Sequence, residues 1–346
     1  MAYFDLFSGS EFQFTSPFEF SNSTNKIITG LNIFKQENHT ANKIALDRIL
    51  DVKQLIALER APHVHSDWGS AERPEFSSFL YELKYANSIN GVSDRELEEY
   101  RRRGSLDVAE TIASVVGDFA EAQYDQLANT IELDLIAAIL DLKSESAYAG
   151  QGSIDYLTLA GATARTEYVL DNANAANIFQ QLSEIQRIQN TKLGGLNTKR
   201  TGTLILAAGQ AANDLHYHNS IKEFTQYSTQ FASGDNLFTQ IQGNNPAYES
   251  WQLKGCTVID VTGYPQFTDR IGENGFVVIP LMSQDSNAYV LHTGTGRRHA
   301  TLGKAAQLYN QYIVTDPKWG YPEVATESSW LPIVNIPQAI VFGSLS

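Results

Sequence analysis

The sequence predicts an α+β chain in which a two-stranded hairpin is followed by one long helix and then by alternating strands and helices. Three patterns carry this. Phe79, Tyr81, Leu83 and Tyr85 alternate with Leu80, Glu82 and Lys84, the period of a strand with one preferred face. Val108, Ile112, Val115 and Phe119 step by 4, 3 and 4, and Leu127, Ile131, Leu135, Ile139 and Leu142 prolong that apolar stripe as a helix does. Beyond residue 150, short apolar runs such as Thr203–Ala207 and Phe276–Leu281 are interleaved with an amphipathic stretch, Asn177–Leu193.

Taken in order, residues 1–25 hold Tyr3, Phe4, Phe7, Phe12, Phe14, Phe18 and Phe20 among Ser, Thr, Asn and acids, without helical spacing. They read as an extended arm. So many aromatics are unfavourable in water, so the arm packs either on its own domain or across a neighbouring subunit. From Lys43 to Arg60 the apolar stretches Ile44/Leu46 and Leu55–Leu58 supply the first strand of the hairpin, and Phe79–Tyr85 the second. The tip between them, Arg60 to Pro74 with Trp68 and Arg73, is too long for a tight turn and too polar for a core.

A helix over Asp94–Arg103 breaks at Gly104, and Ser105 is a plausible N-cap for the long helix. Running to Lys143, that helix would measure about 55 Å, with Gly117 a candidate bend. Its acids Asp107, Glu110, Asp118, Glu121, Asp125, Glu132, Asp134 and Asp141 meet no base before Lys143, which reads as a solvated face or as a patch for a basic partner or cation. Short strands are expected within Tyr156–Leu170, a helix over Asn177–Leu193, and strands at Thr203–Ala207, Cys256–Val261, Phe276–Leu281, Ala288–His292, Tyr309–Val314 and Pro332–Phe342.

Composition narrows the function. The 346 residues carry 25 Lys and Arg against 39 Asp and Glu, a net charge of −14, which disfavours nucleic-acid readers and anionic membrane surfaces. Only 18% of residues are charged, against about 25% in ordinary soluble proteins, as expected if surface is buried against partners. No apolar run approaches the ~18 residues of a membrane span, and the first 25 residues hold no Lys or Arg for a secretion or mitochondrial signal. The single cysteine, Cys256, lies in an apolar strand and reads as an inert buried thiol.

Catalytic and cofactor motifs fail one by one. The pairs His63/His65 and His216/His218 could share a strand face, but neither has a carboxylate or thiol at a known metal spacing, and His39, His292 and His299 are scattered; no metal or cofactor is expected. Gly294-Thr-Gly-Arg-Arg298 lacks the third glycine of a dinucleotide loop, and Gly303-Lys304 has Arg298 and Ala305 where a P-loop needs Gly and Ser or Thr. No nucleophile elbow occurs and no carboxylate pair stands out, so no enzymatic activity is expected. Arm, hairpin, long helix and α/β remainder suggest a structural, self-associating subunit.

The C-terminal stretch Asn310–Gly320 (NQYIVTDPKWG), the segment Thr326–Phe342 (TESSWLPIVNIPQAIVF) and the Asp94-Arg-Glu-Leu97 to Tyr100-Arg-Arg-Arg103 run, with the order of elements, resemble the major capsid protein E family of tailed bacteriophages, the lambda-type major head protein with the Hong Kong 97 phage fold. The resemblance implies an N-terminal arm (1–42), an extended β-hairpin loop lying over an adjacent subunit (43–92), and a peripheral domain with a spine helix (93–171). An axial α/β domain (172–303) and C-terminal strands that complete its sheet (304–346) follow. It implies a virion subunit that assembles in the host cytoplasm as hexamers and pentamers into an icosahedral head around double-stranded DNA, without reading its sequence. Portal, scaffolding and decoration proteins would be its partners. Phe12, Phe14, Phe18, Phe20, Arg60, Trp68 and Arg73 are then the inter-subunit candidates. The alternatives are an encapsulin-like nanocompartment shell and an α/β phosphate-ligand-binding protein using the Gly294–Arg298 turn.

Overall fold

A computed structural model describes residues 26–41, 43–49, 76–91, 112–144, 153–173, 176–222, 248–296, 306–315 and 320–346. In chain order its elements are helix α1 (Ile27–Gly30), strands β1 (Lys35–Asn38), β2 (Lys43–Ile49), β3 (Phe76–Glu82) and β4 (Lys84–Gly91), and helix α2 (Ile112–Leu140). Strands β5 (Lys143–Ser144) and β6 (Ile154–Asp155), helix α3 (Tyr156–Leu159), β7 (Thr166–Leu170), α4 (Ile178–Leu193), β8 (Arg200–Ala207) and α5 (Gly209–Tyr217) come next. The remainder is β9 (Ser250–Leu253), β10 (Cys256–Asp260), α6 (Pro265–Ile271), β11 (Phe276–Met282), β12 (Tyr289–Thr293), β13 (Asn310–Thr315), β14 (Pro322–Val334) and β15 (Val341–Leu345).

The expected hairpin is present: β2 and β3 run antiparallel with Lys43 opposite Glu82 and Ile49 opposite Phe76. The strand expected through Phe79–Tyr85 is divided at Leu83, so that Tyr85 belongs to β4 and lies opposite Ser329 of β14. The hairpin tip and the Asp94–Arg103 segment lie outside the described residues. The long helix is present over the described 29 residues of α2, about 43 Å at 1.5 Å per residue.

Six strands form one sheet in the order β7-β15-β11-β8-β10-β9. Strict alternation divides its two faces, as the pleat requires. Ile205, Val258, Val278 and Val341 join Ile178, Leu182 and Ile185 of α4 and Ala211, Ala212 and Leu215 of α5 in one core. Leu204, Leu206, Ile259, Val277, Ile279 and Phe342 face the other way, into a core shared with Phe267 of α6 and with Ile131, Leu135 and Ile139 of α2. Helix α4 starts where Asn177 accepts the Gln180 N–H and stops at Gly194, whose positive φ of 52° favours glycine.

The second sheet is built on β14, which pairs antiparallel with β4, β12 and β13, while β12 pairs in parallel with β1. Helix α2 lies on β14. Gln123 of α2 is the main polar pin: its amide donates to Asn90 Oδ1 (2.8 Å) and to the Val324 carbonyl (3.0 Å), and its oxygen accepts from Thr326 (2.6 Å).

Three further expectations need correction. Tyr156–Leu159 is a helical turn rather than a strand, because Asp155 caps it by accepting from the Leu157 N–H and the Thr158 hydroxyl. Pro332–Phe342 is not one strand. Strand β14 begins ten residues earlier, at Pro322, and ends at Val334; a 3-10 turn at Pro337–Ala339 then precedes β15, because Pro337 cannot donate to a ladder. The polar run Thr326-Glu-Ser-Ser329 is fully buried in β14, since a strand paired on both edges and covered by α2 has no free face. The acids of α2 are not one solvated face either. Asp118 and Glu121 are exposed, but Glu132 is buried and Asp134 accepts from the Trp330 indole N–H at 2.8 Å.

Candidate functional site

No constellation of nucleophile, base and orienting group occurs among the described residues, so the sites of interest are those that hold segments together. The first is the anchor of α1 on α2. Glu132, 4% exposed, accepts the backbone N–H groups of Ile28 (2.8 Å) and Thr29 (2.9 Å) and the Thr29 hydroxyl (2.5 Å). Those amides open a helix too short to satisfy them internally, so one carboxylate on the spine fixes the chain that leads into β1 and the hairpin.

The second is the face formed where β1 meets β12. Parallel pairing places Glu37 beside His292, and His39, two residues beyond Glu37, projects to the same side. The His39 N–H donates to the Thr293 carbonyl at 2.9 Å, so the register continues to that point. His39 Nε2 and His292 Nδ1 share a hydrogen bond of 2.8 Å, and Glu37 Oε2 stands 3.8 Å from His292 Nδ1. The other Glu37 oxygen accepts from Lys35 Nζ at 2.9 Å, and Lys35 also donates to Asn287. The hydrogen bond from Lys35 holds the Glu37 carboxyl below its usual range against the opposing effect of burial. His292 is pushed down to about 4, chiefly by burial and then by His39 beside it, with Glu37 pulling the other way. Reading only H-x-H pairs missed this cluster. The Glu37-Asn-His39 spacing was the local signal, but its third member is 253 residues away and is supplied by sheet pairing alone.

The other sequence candidates are structural where they are described. His216 stacks on Tyr217 and on Trp251, with ring centroids at 4.1 and 4.5 Å. His218 binds the Ser220 hydroxyl and the Ala173 carbonyl. The two therefore have separate partners rather than a common ligand. Cys256 is buried, its thiol is pushed up by burial, and Gln186 donates to its sulfur at 3.2 Å. The turn after β12 is described only through Gly296; Thr295 is buried there, and Arg297 and Arg298 lie outside the described residues. Phe12, Phe14, Phe18, Phe20, Arg60, Trp68, Arg73, His63, His65 and His299 lie outside them too.

No protein-family model matches the chain, and no curated protein sequence does. Solved structures do match. The capsid of Myoviridae phage XM1 superposes with a TM-score of 0.51 at 10% identity, covering 92% of this chain and 92% of that one. A prophage capsid protein from E. coli CFT073 gives 0.50 at 11% identity over 91% and 92%. The chain has the fold of these capsid proteins. At this identity the likeness lies in the arrangement of elements, over about nine-tenths of the chain. The α+β, Hong Kong 97-type architecture expected from the sequence is the one observed.

Proposed function

We propose that this chain is the major capsid protein of a tailed phage, assembling as hexamers, with pentamers at the vertices, into an icosahedral head around double-stranded DNA. The observation that carries the proposal is the match of its fold to two capsid proteins over nine-tenths of each chain. Its physical chemistry agrees. A wall of net charge −14 does not grip DNA, so the genome can be packed and ejected, and a charged fraction of 18% suits a subunit whose surface is given largely to neighbours.

In this reading residues 1–42 are the arm, 43–92 the extended loop, 93–171 the peripheral domain, 172–303 the axial domain and 304–346 the closing strands. Aromatics of the arm (Phe12, Phe14, Phe18, Phe20) and the loop-tip residues Arg60, Trp68 and Arg73 meet adjacent subunits. The protein is a structural subunit, resident in the virion and assembled in the host cytoplasm with portal, scaffolding and decoration proteins. Negative-stain microscopy and light scattering of the purified chain test this: capsomers, tubes or closed shells are expected, and a strictly monomeric species at high concentration would overturn it.

A further inference from the structure

We propose that Glu37, His39 and His292 form a zinc-binding site that clamps β1, at the root of the hairpin, to β12. Their ligand atoms, one carboxylate oxygen and two imidazole nitrogens, all lie within 4.8 Å of one another. Two imidazoles and a carboxylate are a donor set that zinc takes with water as the fourth ligand. Two nitrogens among three donors disfavour magnesium and calcium, which seek oxygen shells, and the absence of a thiolate disfavours the softest ions.

Tetrahedral coordination at about 2.0–2.1 Å sets ligand atoms about 3.3 Å apart. The observed 2.8 Å between the imidazoles and 3.8 Å from Glu37 to His292 bracket that spacing. The backbone need not move, because the parallel ladder from Lys35–Val290 to Asn38–Thr293 already fixes the three positions on one face. Side-chain rotation is what remains, with all three ligand atoms already within 4.8 Å of one another.

The supporting contacts fit the same use. Lys35 occupies one Glu37 oxygen and leaves the other toward His292. Glu37 keeps 32% of its side chain exposed, so water can reach the fourth position. Without metal, one ring hydrogen bridges the two imidazoles; with metal, His39 carries its hydrogen on Nδ1 and both inner nitrogens turn to the ion. The positive Lys35 works against the ion, so the site is weaker than one free of a neighbouring cation. Its position gives it a structural role: β1 is followed within a few residues by β2, and β12 is held by β14, so an ion here ties the hairpin to the sheet under the spine helix.

The test is titration of the full-length chain with zinc chloride after chelator treatment and buffer exchange, followed by calorimetry and by metal analysis of the protein. One zinc per chain is expected. His39→Gln and Glu37→Gln, both at partly exposed positions, should each weaken binding by about a hundredfold or more, since even an outer-shell partner can cost 10–100-fold. Their far-UV circular dichroism should stay unchanged. Cobalt(II) gives a second readout, a four-coordinate visible spectrum that disappears in the same variants. A wild-type chain that retains no zinc overturns the proposal, and so does equal zinc in wild type and both variants, which would assign the ion to other histidines.

Discussion

Replacing Glu132 with alanine removes a carboxylate that accepts three donors at once at the start of α1. The Ile28 amide belongs to a residue 1% exposed, so it cannot turn to water without α1 lifting from α2. Hydrogen bonds to a charged acceptor contribute about 1.5–3 kcal/mol each, and a buried donor left unpaired costs about 1–3 kcal/mol. Three full penalties would overstate the loss, because a four-residue helix can partly detach and rehydrate Thr29. The expected destabilisation is about 3–5 kcal/mol for Glu132→Ala. Glu132→Gln keeps one acceptor oxygen but aims its NH2 at a donor, and should cost about half as much. Urea unfolding of unassembled subunits, followed by circular dichroism, measures both. Glu121→Ala on the exposed side of α2 is the control and should stay within about 0.5 kcal/mol of wild type. A Glu132→Ala cost below about 1 kcal/mol, or a Gln variant as stable as wild type, would refute the anchoring role.

Other expectations concern the six-stranded sheet. Gly343 faces the ring of Phe276 across the β11–β15 pair, and a Cβ there would stand inside the van der Waals shell of the ring carbons. Gly343→Ala should therefore cost about 1–3 kcal/mol in the same urea assay, and a neutral result would mean that the Phe276 ring can swing aside. Gln189, fully buried, donates to the carbonyls of Val278 and Ala339 at 3.1 Å and accepts from Arg200 at 2.7 Å. Gln189→Leu takes this donor from both carbonyls, while Arg200 keeps Thr203 and Asn190, and should lower stability by about 1–3 kcal/mol, read as a shift of the urea midpoint. Burial raises the Cys256 thiol, so a disulfide reagent at mildly alkaline pH should label the native chain far more slowly than the unfolded one. Equal rates would place that thiol at the surface.

Much of the fold could be read locally. The apolar stripe of the long helix depends on neighbours within a turn, and α2 formed as its period requires; the alternation through Phe79–Tyr85 gave extended chain, but its division at Leu83 between two sheets was set by pairing with β2 and β14. Asn177 and Gly194 likewise mark the ends of α4 in the sequence itself. Less legible was β14. Its stretch Thr326-Glu-Ser-Ser329 has the composition of a loop, yet it is interior because β4, β13 and α2 surround it, and no local period carries that information. Strand β9 and helices α5 and α6 escaped notice for a related reason: they are short, and their stability comes from the sheet they pair with or pack on.

The sequence by itself determined the succession of hairpin, spine helix and α/β remainder, the acidic balance, and the lack of a catalytic motif. Side-chain periodicity and charge are properties of a chain taken a few residues at a time. Tertiary structure alone decided which acids of the spine are surface and which are anchors, and that Glu37 and His39 meet His292. Those outcomes depend on contacts 104 and 253 residues apart, set by the packing of α1 on α2 and the register of β1 against β12. A one-residue slip of that register would turn the cluster's members to opposite faces of the sheet.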